Sequence, residues 1–192
     1  MVRLGVTGGI GSGKSYVCRM LSDRFGIPVY NCDINARVLT LSDPDVMQRL
    51  EALVEGVYDE DGELDKKRLA DFLFASDENA RKVNQIIHPA VRRHLHQWYA
   101  HCGEPVVVME SAILYESGFD DEVDRVLFVD APLELRIRRT MKRDGLSRQE
   151  VLQRIDRQNT EQVRQRADYV VVNDGSTPLE PQLLGILKSS NP

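Results

Sequence analysis

At 192 residues, 42% of them hydrophobic and 29% charged, the chain has an ordinary globular composition and the length for one substantial core. A formal net charge of −5 argues against nucleic acid as the main partner, and no stretch approaches the roughly 18 consecutive apolar residues that span a bilayer. Cys18, Cys32 and Cys102 form no C-x-x-C pair and indicate neither a disulfide framework nor a zinc site, so a soluble, cytoplasmic protein is expected.

In chain order, Val2 to Val6 reads as a short buried strand, too short and too soon interrupted by glycine to be a secretory signal. "GGIGSGKS" follows, fitting G-x-x-x-x-G-K-[ST] with Gly8, Gly13, Lys14 and Ser15. From Lys14 to Phe25, Val17, Met20, Leu21 and Phe25 recur at helical spacing. Ile27 to Tyr30 reads as a second strand, about Asp33 to Leu41 as a helix, and "SDPD" (42–45) as the start of another, with Pro44 in its first turn. "YDEDGELD" (58–65) is an acidic turn. Helices are expected over Lys66 to Ala75 and roughly Asn79 to Ala100, the latter interrupted or bent around Pro89.

Three further runs, "PVVVME" (105–110), "DRVLFVD" (124–130) and "DYVVVND" (168–174), lack alternation, as strands covered on both faces do. Helical patterns occupy 132–144, 147–166 and about Pro178 to Lys188, with Ser147 and Glu150 in capping-box spacing and "SSNP" as a frayed tail. Strands alternating with helices imply an α/β fold, a five-stranded parallel sheet covered by helices on both faces.

The glycine loop follows a strand and opens a helix, the context in which backbone N–H groups and a helix N-terminus hold phosphates. Lys14 reaches the β- and γ-phosphates there, and the Ser15 hydroxyl ligates Mg²⁺. No guanine-reading Asn/Thr-Lys-x-Asp element occurs, and 192 residues leave little room for a motor, so a small-molecule kinase leads. Asp33, just past the second strand, is either a general base for an acceptor hydroxyl or a helix cap. Glu110, ending its strand, either helps to hold Mg²⁺ or forms a salt bridge. Arg136, Arg139 and Arg143 share a helix face in a basic segment, either solvated or acting as a lid whose Arg139 and Arg143 stabilise the transferring phosphoryl group. His88, before Pro89, is a candidate pocket residue, while His94, His96 and His101 read as surface. Asn173 either reads a purine or serves a turn.

Across "LGVTGGIGSGKS", "CDINAR", "DGELDKKRL", "NQIIHPAVR", "AILYESGFDDEVDRVLFVDAP", "RRTMKRDGLS" and "ADYVVVNDG", nearly the whole chain resembles the dephospho-coenzyme A kinase family. The resemblance implies ATP-dependent phosphorylation of the ribose 3′-hydroxyl of dephospho-CoA to CoA and ADP, with Mg²⁺. ATP and dephospho-CoA are the implied partners, with no nucleic acid or membrane and the oligomeric state left open. It implies one P-loop kinase domain over 1–192, with its core at about 1–32, 104–135 and 167–192. A helical CoA-side region spans about 33–103 and a mobile lid about 136–166.

Carried over by position, Gly9, Ile10, Gly11, Ser12, Gly13, Lys14, Ser15, Tyr16 and Asn173 bind ATP. Lys14, Asp33, Arg139 and Arg143 are catalytic. Asp33, Arg37, His88 and Pro89 bind the acceptor, and Ser15 and Glu110 serve Mg²⁺, Glu110 directly or through water. The chain departs from the family at Asn31 and Glu110, where Asp is usual, and at Ala112, where Pro is usual. It also departs at Tyr16, in place of Thr, and at Arg136, often Gln.

Overall fold

The computed structural model describes residues 1–190, in which the five apolar runs form one parallel sheet. Its strands are β1 (Val2–Thr7), β2 (Val29–Asn31), β3 (Val106–Glu110), β4 (Arg125–Asp130) and β5 (Tyr169–Val172). Nine α-helices accompany them among the described residues: α1 (Lys14–Phe25), α2 (Cys32–Ser42), α3 (Pro44–Leu53), α4 (Lys66–Ala75), α5 (Asp77–His101), α6 (Leu133–Asp144), α7 (Arg148–Asp156), α8 (Thr160–Arg166) and α9 (Leu179–Ser190). The chain divides into two compact units, Met1–Asn31 with the stretch from Cys102 onward, and Cys32–His101.

In the first unit the strand order is β2-β3-β1-β4-β5, with Val6 opposite Glu110 and Thr7 opposite Phe128. The chain moves to one side of β1 through β3 and β2, and to the other through β4 and β5. The carboxyl end of β1 is therefore the topological switch point, where open α/β sheets bind ligands. One sheet face packs Leu4, Val6, Val108, Leu127 and Val129 against Val17, Cys18 and Leu21 of α1 and Leu183 of α9. On the opposite face, Gly5 leaves room for Leu114 and Val123, whose side chains a Cβ there would crowd.

Local chemistry sets the helix ends. Gly26 closes α1 at φ +66, with Gly26 N–H bonded to Ser22 O and Ile27 N–H to Leu21 O, the double closure of a Schellman motif. Those bonds consume Ile27, so β2 begins two residues later than the expected Ile27. The Asp43 carboxylate caps α3 by accepting from Asp45 and Val46 N–H, with Pro44 at the first helical position. Ser147 and Glu150 form the reciprocal capping box on α7.

Three other expectations change. Helix α5 runs unbroken through Pro89, which lacks the N–H that would bond Gln85 O; the Arg49 guanidinium reaches that carbonyl at 3.5 Å instead. The pattern over 147–166 is two helices, because Gln158 N–H folds back onto Ile155 O and the chain turns before α8. Strand β5 is not covered on both faces: it pairs with β4 alone, at the sheet edge, and leaves Val170 and Val172 each 38% exposed. Of the expected frayed tail, α9 takes in Ser189 and Ser190, and Asn191 and Pro192 lie outside the described residues.

The second unit has its own core, in which Val46, Leu50, Val54 and Val57 meet Val83, Ile86 and Ala90 of α5. The acidic turn is tied down locally. Glu51 accepts from Gly56 N–H at 2.6 Å and Tyr58 N–H at 3.0 Å, and the Tyr58 hydroxyl donates to Thr40 O. No described helix is long and apolar enough to cross a membrane. Leu50 is fully buried in this small core, so Leu50→Ala removes both transfer energy and packing. A loss of about 2–5 kcal/mol in urea unfolding is expected; a loss under about 1 kcal/mol would mean that this core is not packed around Leu50.

Candidate active site

The glycine loop leaves the carboxyl end of β1 and enters α1 in a conformation that only glycine accepts at its tightest points. Gly11 has φ +74, and a Cβ there would run into the backbone carbonyl of Arg136 and the Thr140 hydroxyl. Gly13 has φ +94, and its Cβ would collide with the Asn173 amide. The loop is thus gripped between α6 and the end of β5. Ser12 N–H bonds Gly9 O, and Tyr16 and Val17 N–H both bond Gly13 O, which winds the loop into the first turn of α1.

Two side chains hold the Ile10 peptide from either end. The Arg136 Nε donates to Ile10 O at 3.0 Å, and Ile10 N–H donates to Gln158 Oε1 at 2.7 Å. Arg139 donates to Ser12 O and Asn173 O, and to Asn173 Oδ1 at 3.3 Å. The Asn173 Nδ2 in turn donates to Ser12 O at 2.7 Å. The three arginines expected on one lid face therefore part company. Arg136 is buried (8% exposed), Arg139 braces the loop, and Arg143 lies exposed against Asp144 at 2.7 Å. Burial pushes the Arg136 guanidinium below its ordinary value, against the opposing pull of Asp130, and Asp144 raises that of Arg143.

Lys14 Nζ donates to Gly8 O at 2.8 Å and Gly9 O at 3.4 Å, which folds the ammonium over the loop. At the base of the loop, the Ser15 hydroxyl donates to Glu110 Oε1 at 2.6 Å and the Asn31 amide donates to Glu110 Oε2 at 2.7 Å. Glu110 is 5% exposed, and these two donors satisfy both carboxylate oxygens. Both of these donors to Glu110 are neutral side chains. Behind it, burial and then the Glu110 charge hold the Cys18 thiol well above its usual range, which makes it an inert core group. The buried polar atoms without a partner among the described residues are Ser12 Oγ, Arg136 Nη2 and Thr140 Oγ1, all at this loop or the helix against it.

A cavity of about 550 Å³ opens beside Gly13, with Tyr16, Met20, Arg139, Asn173 and Pro178 in its walls. In the second unit, Asp33 and Arg37 are exposed and one turn apart on α2. Asp33 is the second residue of that helix, inside its first turn rather than at the cap, where a carboxylate complements the positive helix end. His88 is half-buried in α5 and Pro89 exposed, and burial, then Arg92, lower the His88 pKa from its ordinary value. Sequence reading did not find Gln158 or the bracing role of Arg136. Nothing local marks Gln158, whereas Arg136 was visible as a departure from the family pattern.

The dephospho-CoA kinase family pattern matches residues 2–178. A dephospho-CoA kinase of Bacteroides fragilis is 44% identical over 97% of this chain and 91% of its own length. A solved protein of Thermus thermophilus is 36% identical, covers 98% of this chain and 96% of its own, and superposes with a TM-score of 0.83. A solved dephospho-CoA kinase from Campylobacter jejuni, 21% identical over 98% of this chain and 96% of that one at a TM-score of 0.70, shares the fold. With sequence similarity running through the phosphate loop, sheet and helical unit alike, the chain belongs to the dephospho-CoA kinase family.

Proposed function

We propose that the chain transfers the γ-phosphoryl group of ATP to the ribose 3′-hydroxyl of dephospho-CoA, the last step of coenzyme A biosynthesis, as a cytoplasmic enzyme. The observation that carries this is a phosphate loop with Lys14 folded over it and Ser15 bonded to a buried carboxylate, in a chain matching the family over residues 2–178. In the reaction the 3′-oxygen forms a bond to the γ-phosphorus, the bond from that phosphorus to the bridging oxygen breaks, and ADP leaves. The hydroxyl proton goes to Asp33.

The loop residues Gly9 to Tyr16 wrap the donor phosphates, and Lys14 turns from the loop carbonyls to the β- and γ-phosphates. Arg139 and Arg143 offset charge on the transferring group, Arg143 by exchanging Asp144 for phosphate. Asn173 sits on the adenine side, and Arg37, His88 and Pro89 hold the acceptor. Mg²⁺ fits this donor set, since it takes one or two protein oxygens and completes its shell with phosphates and water. Ser15 Oγ and Glu110 would hold it, Glu110 directly or through water. When bound with ATP it neutralises phosphate charge.

ADP release measured with and without dephospho-CoA tests the reading, and strong dependence on that acceptor is expected. Equal release with a nucleoside monophosphate or shikimate would transfer the assignment to another small-molecule kinase. Nucleotide binding without acceptor-dependent release would make the chain a slow switch. Asp33→Asn keeps the shape of the side chain but not its basicity, so turnover should fall by at least about 10²-fold while ATP affinity barely changes. Turnover near the parent rate would leave Asp33 with only its helix-dipole role. Lys14→Ala should abolish most transfer with an unchanged circular dichroism spectrum, and near-normal turnover would remove the loop from the mechanism.

A further inference from the structure

The donor phosphates account for the loop but not for the cavity beside Gly13, which is large enough for a nucleoside and continuous with the loop's end. Asn173, the expected reader of the base, is buried, and its amide is engaged on Ser12 O and on the Arg139 guanidinium. The far wall is a turn that Asp174 fixes, accepting from Ser176 N–H at 2.8 Å, Thr177 N–H at 2.7 Å and the Thr177 hydroxyl at 2.9 Å. Pro178 and Leu179 beyond that turn are apolar, but neither wall offers a flat aromatic face to a purine.

Tyr16 does. It is the one aromatic side chain among the described residues lining the cavity, and it follows Ser15 directly in the first turn of α1. Its neighbours Val17 and Cys18 are buried in the core, whereas Tyr16 is 56% exposed, so its ring contributes little to the packing of the fold. Met20, four residues on and therefore on the same helix face, extends the surface with a polarizable thioether. A flat ring bearing a π-face at one end of a phosphate-binding loop is a sequence-tolerant platform for a base. We propose that the Tyr16 ring is the surface on which the donor base stacks, a contact that Thr, usual at this position in the family, does not supply. The proposal rests on the kinase reading above and assigns the base contact within it.

Isothermal titration of the full chain with ATP, and separately with inorganic tripolyphosphate, separates the base from the phosphates. Tyr16→Thr should weaken ATP about five- to tenfold, the low end of what a base–aromatic stack contributes. Tripolyphosphate affinity should stay within about twofold of the parent, and Tyr16→Phe should bind ATP like the parent. In steady-state assays the KM for ATP should rise and that for dephospho-CoA should not. If Tyr16→Thr binds ATP like the parent, or loses tripolyphosphate in the same proportion as ATP, the stacking assignment is wrong while the kinase reading stands. Failure of the parent itself to bind ATP would overturn both.

Discussion

The constraint on which the site depends is the absence of room for a β-carbon along the loop, at Gly9, Gly11 and Gly13. The loop backbone passes between the Arg136 carbonyl and Thr140 hydroxyl at Gly11 and the Asn173 amide at Gly13. This close approach lets polar groups from α6 and the end of β5 bond loop carbonyls directly, so the loop is organised from outside as well as by its own turns. The bonds from Arg139 and Asn173 converge on one acceptor, Ser12 O. The loop is held through its carbonyls at Ile10 and Ser12 and through the Ile10 N–H on Gln158, which fixes its backbone from several sides.

Much of this fold was legible because local chemistry terminates its elements. The expected bounds of α1 and α4 match the structure to the residue, since Gly26 and Asp65 provide an unambiguous stop and start. The capping box at Ser147 was equally readable. At the glycine loop and the sheet edge, where expectation and structure part, the cause lies at long range. Gln158 and Arg136 reach Ile10 across 148 and 126 positions, and no periodicity encodes such a contact. Val170 and Val172 belong to an unalternating β-branched run, yet strand order places them at an edge, and order is not a property of the run itself.

Arg136 illustrates how opposing terms settle a role. Burying a guanidinium is costly unless its donors are satisfied. Here Nε has a carbonyl while Nη2 has no partner. The guanidinium also lies where a Gly9 β-carbon would be, so the side chain bounds the loop at Gly9 and bonds it at Ile10 O.

Asn31 and Glu110 act as one unit in physical terms. Two carboxylates at this separation would repel, and in so dry a place one would have to take up a proton. With an amide at 31, the same geometry becomes a donor–acceptor pair of 2.7 Å. The extra methylene of Glu110 carries its carboxylate far enough from β3 to meet Asn31 and Ser15 together, one oxygen each. The Glu110 carboxylate is oriented by two neutral donors, one of them the hydroxyl at the head of α1.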